Sequence, residues 1–167
     1  MNPRPAASGY AVTTLQWAVF GLMLWLGWIQ NRPDGPPWLS TAGGVLMALS
    51  MVPVTLGLFH LGRNLSPWPH PRASNRLVTH GIYSHLRHPL YASLLLFAAG
   101  WILWRQSWPA FIVGGALFLI LRHKAAREEK MLQERHPDYR DYARGTGGFF
   151  PAWRAPRKAP PCAAEDQ

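Results

Sequence analysis

Apolar residues along this chain are gathered into four blocks separated by polar stretches, and that pattern predicts its elements. The first block runs from Ala11 to Ile29 without a charge. At ~1.5 Å per residue a helix of that length nearly crosses a hydrocarbon core of about 30 Å. The second, Leu39 to Leu61, is long enough to span but contains Pro53 and His60. Pro53 predicts a kink, because proline lacks the N–H and its ring crowds the carbonyl four residues earlier. The third block begins at Pro89 or Leu90 and ends at Trp104; the fourth runs from Trp108 or Pro109 to Leu121. Both are short, and only Arg105-Gln106-Ser107 separates them, so they read as a tight helical hairpin, spanning or deeply inserted. The expected fold is an all-α, polytopic membrane helix bundle with about four transmembrane or membrane-inserted helices.

The polar segments fill in the rest. Residues 62–88 read as a long loop carrying Pro67, Pro69 and Pro71. Residues 122–143 predict one helix leaving the membrane, ended by Gly145-Thr146-Gly147-Gly148. A single domain is expected over 1–151, with a disordered Pro- and Ala-rich tail over 152–167. Gly43-Gly44 and Gly114-Gly115 allow close helix packing.

Composition changes this picture in two ways. Mean hydropathy is only −0.06, which by itself suggests a soluble protein, but nine Trp in 167 residues suit a chain with two membrane–water interfaces. Formal charge is +9. The basic residues lie between apolar blocks and no nucleic-acid signature accompanies them, so the bilayer, not nucleic acid, is the expected partner. With the N-terminus in the cytoplasm and four crossings, fifteen of the 17 basic residues fall on the cytoplasmic side, leaving Arg32 and Arg105 outside. Both termini are therefore expected to be cytoplasmic. The one cysteine, Cys162, excludes an internal disulfide and a cysteine-based zinc cluster.

Two polar constellations remain as candidate chemistry. Gly81-Ile82-Tyr83-Ser84-His85-Leu86-Arg87-His88-Pro89-Leu90-Tyr91 stands where the long loop meets the third block. Pro89 suits the first turn of a helix, whose free N–H groups favour an anion. Tyr83 and Tyr91 offer flat faces with polar tips. Interface anchoring by snorkelling Arg, His and Tyr explains the same residues. The second constellation, Arg127-Glu128-Glu129, places carboxylates just past an apolar block, which is costly unless they face a cation or a cavity. A solvated face partnered by Lys124 and Lys130 is the plain alternative. His80, His85 and His88 raise a metal site, but the other histidines are scattered and Pro89 breaks any helical ligand register; no metal is expected.

Taken in order, Arg87-His88-Pro89-Leu90-Tyr91 followed by Glu128-Glu129 resembles the RHPxY…EE pattern of the isoprenylcysteine carboxyl methyltransferase family. Related membrane methyltransferases of phospholipids share a similar arrangement. Leu132, Tyr139, Tyr142 and Pro151 echo the family's downstream pattern, so the resemblance covers roughly 62–151. It implies an S-adenosylmethionine cofactor in a cytoplasm-facing pocket and a lipophilic or membrane-embedded methyl acceptor. It also implies cofactor contacts at Asn75, Arg76, Leu77, Val78, Tyr83, His88, Pro89, Leu90, Tyr91 and Glu128. Where the family carries an arginine for the substrate carboxylate, this chain has Lys124, with Arg127 nearby. These two cations are the candidate catalytic residues, and Lys cannot make the bidentate fork to a carboxylate. A non-enzymatic binding or assembly role on the same scaffold, and a histidine–metal redox protein, are the alternatives from other classes.

Overall fold

A computed structural model describes residues 7–30, 35–61 and 77–152. The expected contacts at Asn75 and Arg76, most of the 62–88 loop and all but the first residue of the expected tail lie outside the described residues. The chain is an all-α bundle: α1 (Ala7–Ile29), α2 (Pro37–Leu49), α3 (Met51–Leu61), a short 3₁₀ turn (Gly81–Ser84), α4 (Pro89–Arg105), α5 (Trp108–Arg135) and α6 (Tyr139–Gly145). Among the described residues, three stretches are long and apolar enough to cross a membrane: Gly9–Ile29, Pro37–Leu61 and Trp108–Arg135. At 17 residues α4 is shorter, about 25 Å at ~1.5 Å per residue. It is an integral membrane protein.

The helical stretch Pro37–Leu61, where Pro53 predicts a kink, is interrupted at a single residue, Ser50, between α2 and α3. Leu49, four residues before Pro53, is the last residue of α2, and its carbonyl is the one for which Pro53 has no N–H. Ser50 repairs the break locally: its N–H donates to the Leu46 carbonyl (2.9 Å) and its hydroxyl to the Met47 carbonyl (2.6 Å). The expected exit helix over 122–143 needs correction. α5 runs without interruption from the apolar block through Arg135, and His136-Pro137 then separates it from α6, because Pro137 biases the preceding residue away from the helical region.

Glycine allows the closest approach between helices. α2 packs most extensively on α4, and α1 on α5. A Cβ at Gly100 of α4 would stand 2.7 Å from the Gly43 carbonyl of α2 and 2.8 Å from Met47 Cγ, so backbone approaches backbone there. Gly114 of α5 likewise admits the end of Ile102 (2.7 Å). The buried core is small and aliphatic (Met23, Ala98, Ala110, Leu117 and Leu121) and is shared by α1, α4 and α5. Large side chains instead face outward: Trp17, Trp25, Leu56, Phe59, Ile112 and Leu119 are all exposed. That inversion suits a surface solvated by lipid, where an exposed leucine carries no penalty.

One end of the bundle is closed by Arg105. Its Nε donates to the Gly27 carbonyl (3.1 Å) and an Nη donates to the Trp28 carbonyl (3.0 Å), at the C-terminus of α1. Trp28, Trp101 and Trp104 surround the guanidinium at 4.9–5.8 Å. The α4–α5 turn beside it is tight: Gln106 takes φ 51°, and Ser107 caps α5 by accepting from the Ala110 N–H. A cation on exposed carbonyls at a helix C-terminus completes both hydrogen bonding and the macrodipole.

Candidate active site

The opposite end collects the polar residues. Two sequence-distant elements meet there: the N-terminus of α4, opened by Pro89 in its first turn, and the C-terminal half of α5. His88 is the residue before α4 and is only 8% exposed. Its Nε2 lies 3.0 Å from a Glu129 carboxylate oxygen. A carboxylate can only accept, so the proton sits on Nε2 and Nδ1 is left facing Glu128 at 3.8 Å. Arg87 pairs with the other Glu129 oxygen at 3.3 Å. Tyr91 donates its hydroxyl to Glu128. The two neighbouring carboxylates are thus divided: Glu129 is held by Arg87 and His88, and Glu128 by the Tyr91 phenol.

Aromatic faces line the same cluster. The His88 imidazole and Tyr91 ring stack at 5.4 Å and 14°. Phe149 packs on both, at 5.9 and 6.4 Å, and on Phe118 of α5 at 6.2 Å. Lys124, one turn before Glu128, places its ammonium 5.3 Å from the Tyr91 ring centre and donates to the Gln16 side-chain carbonyl of α1 at 3.1 Å.

A strap from the C-terminal side holds the loop before α4. Arg87 N–H donates to the Gly147 carbonyl (2.8 Å) and His88 N–H to the Gly148 carbonyl (3.2 Å). In return, Gly147 and Ala152 donate to the His85 carbonyl (3.2 and 3.3 Å). Glycine is required at 147, because a Cβ there would run into the Phe150 carbonyl. Behind the strap, Tyr142 donates to the Tyr83 carbonyl at 2.6 Å. Burial, then the Glu129 charge, pushes the Tyr139 phenol up to about 12, and burial raises Tyr142 and Tyr83 as well. These phenols stay protonated, as donors, across the physiological range.

The structure therefore brings together His88, Tyr91, Lys124 and Glu128 from the expected set. Tyr83 is buried, and its carbonyl accepts from Tyr142 behind the strap. Pro89 and Leu90 turn their side chains to Gly57 of α3, where a Cβ would meet them at 3.2 and 3.5 Å. Leu77 and Val78 are half-buried in irregular chain, and Arg127 is exposed. Three participants escaped the sequence reading: Gln16, Phe149 and the Gly147-Gly148 strap. Gln16 had a signal, as the sole amide inside the first apolar block. The strap also had one, in two adjacent glycines before two phenylalanines, but both glycines read simply as a helix stop.

Paired carboxylates, an imidazole and stacked aromatics are thus gathered at one end of a membrane helix bundle. The model for the phospholipid methyltransferase family matches residues 38–138, and the chain belongs to that family. It is 34% identical over 123 residues to the cobalt-zinc-cadmium resistance protein CzcN of Cupriavidus metallidurans, covering 72% of this chain and 54% of that protein. It is 30% identical over 115 residues to the nickel-cobalt-cadmium resistance protein NccN of Alcaligenes xylosoxydans xylosoxydans, covering 68% and 52%. The chain thus spans about half the length of the curated relatives it matches.

Proposed function

We propose that this protein is an S-adenosylmethionine-dependent methyltransferase acting on a membrane-borne, lipophilic acceptor, with its site and both termini on the cytoplasmic side. The observation that carries the reading is the union of two motifs 37 residues apart, Tyr91 on Glu128, with His88 on Glu129 beside it. The side chains present fit the cofactor's chemistry. Glu128 offers a carboxylate to an ammonium or to ribose hydroxyls. Tyr91, His88 and Phe149 offer faces to a sulfonium or an adenine ring. Arg87 Nε, buried without a hydrogen-bond partner among the described residues, is a spare donor.

When bound, the cofactor supplies an already activated methyl group, so the protein's work is to orient the reactants and exclude water. Glu129 locks Arg87 and His88, which keeps the α4 N-terminus in register with α5. Glu128 and His88 Nδ1 are the groups able to take a proton from an amine or thiol acceptor; a carboxylate acceptor has none to give. Of the two candidate cations, Lys124 stands against the cluster and orients the acceptor, a role for which exposed Arg127 is less well placed.

The test is calorimetric binding of S-adenosylmethionine to the full chain in detergent. Wild type binds, and His88→Ala and Glu128→Ala each weaken binding by more than tenfold. A well-folded wild type that does not bind would overturn the reading in favour of a binding or assembly role on the same scaffold.

A further inference from the structure

Gln16 is a buried amide, 4% exposed, in a helix that otherwise carries no charge. An amide shielded from water costs free energy unless it is partnered, and the cost is higher next to lipid. Its partner is not a backbone group of α1 but the ammonium of Lys124 on α5. That ammonium has three further constraints around it: the Tyr91 ring beneath, Glu128 one turn along its own helix, and the apolar α1–α5 contact behind. A lysine stem has four rotatable bonds, so without a fixed acceptor its head is free to swing out toward water. Gln16 also precedes the 38–138 stretch matched by the family model, so family membership by itself says nothing of it.

We infer that Gln16 is a positioning residue: its side-chain carbonyl fixes the Lys124 ammonium over Tyr91 and so presents that cation to the space beside His88 and Glu128 where methyl transfer takes place. The inference rests on the proposed methyltransferase reading for its purpose, but not for its geometry. One ammonium N–H is given to Gln16 and one direction is taken by the ring face, which leaves one donor for an acceptor. α1 is thereby part of the site and more than a membrane anchor.

The chain has only three lysines, Lys124, Lys130 and Lys158, so labelling lysine with ¹³C at Cε gives three signals, two of them internal references. In the wild type in detergent, the Lys124 signal is displaced by the Tyr91 ring current and shifts saturably on addition of S-adenosylmethionine, while the other two stay still. In Gln16→Leu, the Lys124 signal moves to the position of the references and its response to S-adenosylmethionine falls at least fivefold, although calorimetric affinity for S-adenosylmethionine stays within threefold of wild type. Gln16→Glu keeps the reach and the oxygen and restores the displaced signal; it also serves if Gln16→Leu does not fold. A displaced, responsive Lys124 signal in Gln16→Leu, or a released one in folded Gln16→Glu, overturns the inference. Absence of S-adenosylmethionine binding by the wild type overturns the methyltransferase reading instead, and the displacement of the signal in the ligand-free protein still decides the role of Gln16.

Discussion

The two ends of α4 each carry an arginine beside the membrane, and they are used in opposite ways. At the C-terminal end, Arg105 spends its donors on the backbone carbonyls of Gly27 and Trp28 and its face on three tryptophans. Among the described residues no carboxylate is involved, and the result seals one end of the bundle. At the N-terminal end, Arg87 engages Glu129 and sits in a network with His88, Glu128, Tyr91 and Lys124. There, charges of both signs are gathered and some valences remain open: Nδ1 of His88, Nε of Arg87 and part of Glu128. The first arrangement satisfies the guanidinium within the protein and leaves only the buried Trp101 Nε1 unpartnered among the described residues. The second is organised around more polar groups than packing alone requires, which is the mark of a site.

Substitutions at the two ends should separate stability from binding, and the largest effect belongs to Glu129. Glu129→Ala leaves Arg87 and His88 without their carboxylate in a mostly buried setting. Breaking such a pair costs about 3 kcal/mol, and the thermal midpoint in detergent should fall accordingly. Binding of S-adenosylmethionine should be lost with it, because the N-terminus of α4 loses its tie to α5. A variant with wild-type stability would show that Glu129 is not the structural half of the carboxylate pair. Glu128→Ala gives the complementary result, near-normal stability with lost binding, and the pair together tests the division of labour between two adjacent glutamates.

Arg105→Met is the counterpart at the sealed end. It keeps the apolar stem and removes two hydrogen bonds from a charged donor, together with the cation–π contacts. A loss of about 2 kcal/mol is expected, with affinity for S-adenosylmethionine within twofold of wild type. A tenfold loss of affinity would mean that the two ends are coupled through α4, and the comparison would fail.

Much of this was legible from the apolar pattern. The block ends at Ile29 and Leu61 match helix ends, and of the starts at Pro89 or Leu90 and at Trp108 or Pro109 the first of each pair opens a helix, within the described residues. Arg87 to Tyr91 and Glu128-Glu129 pointed to the cluster because such groups are expensive at a membrane boundary. Helix pairing was not legible. A helix such as α1 is apolar on every face, so it has no stripe to say whether α5 or α2 is its partner; the α2–α4 pairing rests on backbone approach at Gly43 and Gly100, which no apolar pattern announces. Nor was the strap, whose bonds are all main chain and leave only a glycine requirement in the sequence.

The smallest expected effect tests that strap from behind. Tyr142→Phe removes the hydrogen bond to the Tyr83 carbonyl (2.6 Å) while keeping the ring. The cost is about 1 kcal/mol, with a change in S-adenosylmethionine affinity of a fewfold at most, because no cluster residue loses its partner. The pH dependence gives a sharper signature. Burial raises the Tyr142 phenol above its ordinary value, so the phenol ionises more readily in the unfolded chain than in the folded one. Its stabilising contribution is therefore complete below about pH 10, where the unfolded phenol titrates, and is lost as pH rises further. Wild-type thermal stability should decline above that point, and Tyr142→Phe should decline less steeply, since Tyr139, pushed up to about 12, remains as a second titrating phenol. Parallel pH profiles for the two proteins would mean that Tyr142 is as accessible folded as unfolded, and that the strap is held by Gly147 and Gly148 alone.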